Sequence, residues 1–94
     1  MKYIKMKIIE VELRIPKIIY LEVTDDGVEL RKVQFYLDGT VGFASEELEY
    51  ERTRLSGQYL PSVEELNEAC YFIASYTTPH EFEQLWRKYV TNRI

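Results

Sequence analysis

Apolar and polar residues alternate with a period of two along the first third of the chain. Between Met1 and Val11, Ile4, Met6 and Ile8 fall on one face and Lys5 and Lys7 on the other, which predicts a half-buried strand. Ile9 and Val11 share the lysine face, so that face is expected to be covered toward its end. Leu13 to Pro16 reads as a loop or bulge, because Pro16 has no amide to give to a sheet ladder. Lys17 to Thr24 is rich in β-branched and aromatic residues and predicts a second strand, with Ile19, Leu21 and Val23 on one face. Asp25-Asp26-Gly27 is turn chemistry. Val28 to Leu37 follows as a third strand, with Val33, Phe35 and Leu37 facing one way. Arg31 falls in register with that set and reads as the mark of a strand edge. Asp38-Gly39 is the strongest hairpin signal in the chain, and Val41 to Ala44 is a short fourth strand.

The pattern then changes. Ser45 to Glu51 is a charged connection of helical or loop character, and Arg52 to Leu60 predicts a further short strand around Thr53, Leu55 and Tyr59, interrupted by Gly57. Pro61 to Glu65 carries a capping box, Ser62 with Glu65, so a helix is expected from about Val63 to Glu68. Tyr71 to Tyr76 is aromatic and β-prone and reads as one more strand. Thr78-Pro79-His80-Glu81 is a second helix start, and Phe82, Leu85, Trp86 and Tyr89 follow helical spacing behind it. Strands first and helices later predict an α+β fold. The expected architecture is an antiparallel meander of four to six strands with two C-terminal helices packed on one face, in a single domain spanning residues 1–94.

Composition narrows the function classes. The chain is 46% hydrophobic and 30% charged, as a globular domain is. Its net charge of −4 comes entirely from residues 46–94, where nine acids meet five bases; residues 1–45 carry seven of each. A nucleic-acid binder shows a basic stripe, so that role is not expected. The N-terminus lacks the uninterrupted apolar core of a signal peptide, and no apolar run reaches the ~20 residues of a membrane span. A cytoplasmic protein without membrane contact is expected. Cys70 is the only cysteine and His80 the only histidine. A disulfide within the chain and a thiolate metal cluster within one chain are thereby excluded, and Cys70 is expected to be a small buried hydrophobe. His80 falls near the start of the last helix with no second histidine to share a metal. No catalytic motif is present, so neither cofactor nor enzyme activity is expected.

The segment Glu29-Leu30-Arg31-Lys32-Val33-Gln34-Phe35, with Asp38-Gly39-Thr40-Val41-Gly42-Phe43-Ala44-Ser45, resembles a small bacterial domain family of unknown function. Its members read approximately E-x-R-K-V-E-x-F-x-D-G-x-x-G-Y-A-S. Pro61 to Asn67 and Glu81 to Trp86 are similar to that family's closing segments, so the resemblance covers nearly the whole chain. It implies a fold and no assigned activity; the style of the sequence also looks like immunity proteins of bacterial toxin systems. One departure lies between Tyr20 and Arg31, where relatives carry a longer acidic turn and a tryptophan and this chain has Val28. A site served by that tryptophan would be missing here.

Three constellations stand out as candidates. Glu46, Glu47, Glu49 and Glu51 surround Tyr50, and clustered carboxylates steer a cationic partner; the plainer account is a solvated loop. Tyr3, Tyr20 and Tyr36 lie opposite the main apolar sets of their strands and are expected to form an aromatic patch, either a partner surface, with Tyr20 and Tyr36 as contacts, or a second core under a helix. Arg31 and Lys32 with Arg52 and Arg54 form a candidate anion site if their segments adjoin; otherwise they pair with nearby glutamates. The expected function is a non-catalytic protein-binding module, an immunity protein covering a basic toxin domain. The alternative is a structural domain that forms a homodimer through an exposed sheet edge or the aromatic face.

Overall fold

Five of the predicted strands form, the first four pairing in chain order and the last pairing with the first, and a two-residue strand joins them. In the computed structural model, which describes residues 1–10 and 12–92, they are β1 (Lys2–Ile8), β2 (Ile18–Val23), β3 (Glu29–Phe35), β4 (Val41–Ser45), β5 (Glu49–Tyr50) and β6 (Phe72–Tyr76). The expectation placed on Val11 lies outside the described residues. All neighbouring strands are antiparallel, in the spatial order β5-β4-β3-β2-β1-β6. Helix α1 (Val63–Glu68) precedes β6, and α2 (Pro79–Trp86) follows it. The fold is α+β, as the order of elements predicts.

Local chemistry explains the junctions. Thr24 closes the β2–β3 turn by exchanging backbone hydrogen bonds of 2.9 Å with Val28 and Gly27. Gly27 takes φ +98° there, and a Cβ on it would come within 2.6 Å of the Leu60 carbonyl oxygen. The Asp38 carboxylate accepts from the Thr40 amide at 2.9 Å in the next hairpin, which holds it below the usual carboxylate range. At α1, the Ser62 hydroxyl accepts from the Glu65 amide and Glu65 reaches back, so the capping box is made. At α2, Thr78 is the N-cap with Pro79 behind it. A π-helical turn (Arg87–Thr91) prolongs α2, closed by the Asn92 amide on the Arg87 carbonyl at 3.0 Å. It brings Val90 into the core.

Four expectations are corrected. The two helices lie on opposite faces, not on one. Ile4, Met6, Leu21 and Val23 pack with Val63 and Leu66 of α1, whereas Tyr20, Val33 and Phe43 pack with Phe82 and Val90 of the second helical segment. The reason is register: Leu21 stands opposite Lys32 and Tyr20 opposite Val33, so the main apolar sets of β2 and β3 point to different sides. Residues 52–60 form no strand. Glu51 and Arg52 adopt successive left-handed conformations (φ 53° and 56°), which turns the chain out of the sheet and over the α1 face. The acidic connection is not helical, since it holds the two-residue strand β5. Arg31 marks no edge, because β3 is an inner strand.

The irregular run is held down by polar side chains of β3. Lys32 donates to the Arg54 carbonyl at 3.1 Å, Glu29 accepts from the Ser56 amide at 2.8 Å, and the Thr53 hydroxyl donates to Gln34 Oε1 at 3.2 Å. Glu29 and Lys32 also pair at 2.9 Å. Backbone without a ladder partner needs such groups when it is covered. Gly42 makes room beneath: a Cβ there would come within 2.0 Å of Thr53 Oγ1.

Candidate functional site

The acidic run becomes the tip of the β4–β5 hairpin. The Ser45 amide donates to the Leu48 carbonyl at 2.8 Å, and the Glu47 amide to Ser45 Oγ at 3.3 Å. The turn therefore projects Glu46 and Glu47, while Glu49 and Glu51 flank Tyr50; all five side chains are exposed. Tyr50 stacks on Phe43 with centroids 4.9 Å apart, and Phe43 meets Trp86 edge-on at 6.2 Å. The hairpin thus stands on the α2 core. A groove of about 540 Å³ runs beside it, with Glu46 and Glu47 on one wall and Val28, Leu30 and Leu55 among its apolar lining.

Among the described residues, none of these four carboxylates takes part in an ion pair or a hydrogen bond. Most acids elsewhere are used by the fold. Asp25 pairs with the N-terminal amine at 2.8 Å, Glu65 caps α1, and Glu81 accepts from the hydroxyls of Thr77 and Tyr20. Glu22 is the most engaged. It accepts two hydrogen bonds from Arg31, at 2.7 and 2.8 Å, and one from the Tyr3 hydroxyl at 2.7 Å. The Arg31 bonds hold the Glu22 carboxyl below the usual carboxylate range; the same carboxylate pushes the Tyr3 phenol up and keeps Arg31 charged. Arg31 also bridges to Glu83 on α2, and its guanidinium lies 4.9 Å from the Phe82 ring centre and 5.0 Å from that of Trp86. One side chain thereby fastens α2 to the sheet.

The remaining candidates scatter. Tyr20 and Tyr36 are buried, 8% and 4% exposed, so neither ring is offered to a partner. Tyr20 joins Tyr3 in the core under α2, the second-core alternative for those two. Tyr36 lies apart from them: it donates to Gln34 at 3.1 Å and carries the Arg52 guanidinium 4.9 Å from its ring centre. The four cations do not converge. Arg31 and Lys32 point to opposite faces and each is paired with a glutamate, while Arg54 is exposed. Cys70 is exposed rather than buried, because it occupies the left-handed turn (φ 63°) between α1 and β6. His80 is exposed on the first turn of α2.

Among the described residues, no three His, Cys, Asp or Glu side chains converge as metal ligands would, and no buried side-chain polar atom lacks a partner. No helix there is long and apolar enough to cross a membrane. Sequence reasoning missed Asn67, which bonds to β6, and the Arg31 clamp on α2. Neither has a local signal, since both depend on which segments meet.

No curated protein and no solved structure matches the chain. A family model described as a domain of unknown function (DUF6881) matches residues 2–91, and the chain belongs to that family.

Proposed function

We propose that this domain is a non-catalytic protein-binding module that docks a basic partner on its β4–β5 hairpin. The class of partner that this chemistry suits best is a toxin domain that handles nucleic acid, whose own site must be cationic to hold phosphates; the module would then act as its immunity protein. One observation supports this above the others. Glu46, Glu47, Glu49 and Glu51 stand together, exposed and unengaged, in a molecule whose other acids mostly serve its own structure. The only other carboxylates without a bond among the described residues, Glu10, Glu12, Glu64 and Glu68, are divided between two other segments of the chain. Concentrated charge raises the local potential and speeds encounter with an opposite surface. Tyr50 adds a partly exposed ring on a rigid base. The exposed thiol of Cys70 suits a reducing compartment, hence a cytoplasmic site of action.

The test is a nuclear magnetic resonance titration with a short arginine-rich peptide. Amide shifts should gather at residues 45–51 at low salt and fade as salt screens the charges. Equal shifts around Glu10, Glu12, Glu64 and Glu68 would overturn the assignment.

A further inference from the structure

Strand β6 is the outer strand on the side of the sheet away from the acidic hairpin, and among the described residues it pairs only with β1. An outer strand offers every second residue's N–H and C=O sideways, as a template for another strand. Here the residues turned toward β1 are the odd-numbered ones: the Tyr71 carbonyl accepts from Ile9 at 3.0 Å and the Thr77 amide donates to Tyr3 at 2.8 Å. Phe72, Ala74 and Tyr76 therefore face outward. At the central one the groups are already taken. The Ala74 amide donates to Asn67 Oδ1 at 2.7 Å, and Asn67 Nδ2 donates to the Ala74 carbonyl at 3.0 Å. A carboxamide has the shape of a peptide group, so Asn67 stands where the next strand's peptide would stand. Burial of Leu66 beside it fixes α1 in the position that allows this.

We propose that Asn67 is an edge guard, and that without it a second copy of the chain pairs β6 with β6. The occupant follows from the strand itself. Phe72 to Tyr76 reads Phe-Ile-Ala-Ser-Tyr, with no charge and no proline. A two-fold axis at Ala74 sets Phe72 against Tyr76 of the partner subunit, and Ile73 against Ser75 of the partner subunit. No like charges oppose that pairing, and Ile73 and Tyr76, 59% and 55% exposed, gain cover. The other edge needs no guard: β5 is two residues long, carries Glu49 and is followed by Glu51. This inference concerns a different edge from the proposed docking hairpin and stands without it.

Sedimentation velocity over a concentration series tests it. The natural chain should stay monomeric, Asn67→Ala should form a discrete dimer as concentration rises, and Ile73→Lys added to Asn67→Ala should restore the monomer. A folded Asn67→Ala that stays monomeric at every concentration overturns the proposal, as does a natural dimer that Ile73→Lys abolishes. If Asn67→Ala does not fold, hydrogen exchange on the natural chain decides. The Ala74 amide should exchange about tenfold more slowly than those of Phe72 and Tyr76; equal rates at all three would remove the guard.

Discussion

The two faces of the sheet are buried by different means. On one, α2 and its π-helical extension lay an aromatic stripe over Tyr20, Val33 and Phe43, clamped by Arg31. On the other, α1 covers only the β6–β1–β2 side with Val63 and Leu66. The rest of that face lies under an irregular run held by Glu29, Lys32 and Gln34. A regular cover needs only its own spacing. An irregular one needs matching polar groups from the strand beneath, and here β3 spends its buried charges on that task. The hairpin glutamates serve neither face, which is what sets them apart.

The largest expected effect tests this contrast directly. Phe82 is fully buried, so Phe82→Ala should cost about 3–5 kcal/mol, whereas Leu66→Ala should cost about 2–4 kcal/mol, as read from urea unfolding. A reversed order would mean that the α1 face is the stronger. Next comes the clamp. Arg31→Ala leaves the nearly buried Glu22 carboxylate without its main partner and should cost about 2–3 kcal/mol, discounted from a fully buried pair because Arg31 is a fifth exposed. Gly42→Ala probes the other cover. It would push Thr53 off β4 and should cost about 1–2 kcal/mol; a neutral result would show that the irregular run is only loosely seated.

The clamp also has a pH signature. The folded Glu22 carboxyl sits below its usual 4.5, so in that window the unfolded chain binds more protons than the folded one. Its stabilisation is complete above the usual value and is lost as pH falls through the folded value. Glu22→Gln should be less stable at neutral pH, and its stability should fall less steeply in acid. Parallel acid profiles for the two chains would contradict the clamp.

The elements whose signals are local were legible in the residues. Asp38-Gly39, the Ser62–Glu65 box and the Thr78-Pro79 start each carry their geometry within a few residues, and each forms where expected. What depends on distant partners was not legible. Alternation tells which residues share a face of one strand, but register decides how neighbouring strands align, and this sent the helices to opposite sides. Thr53, Leu55 and Tyr59 alternate like a strand, yet the left-handed pair Glu51 and Arg52 diverts them. The acidic run was visible as charge; that its carboxylates go unused required knowing the partners of all the others. Tyr20 and Tyr36 read as surface or core, and burial places them inside.

The smallest expected effect concerns the hairpin. Replacing Glu46, Glu47, Glu49 and Glu51 by Gln should change stability by less than about 0.5 kcal/mol, since the fold makes no use of them. The decisive measurement sets that variant beside a charge-matched control in which Glu10, Glu12, Glu64 and Glu68 are replaced by Gln, and compares the affinity of each for an arginine-rich peptide at low salt. The hairpin variant should lose about tenfold or more while the control stays within about twofold of the natural chain. Equal losses in the two would contradict the claim that these four carboxylates are held for a partner.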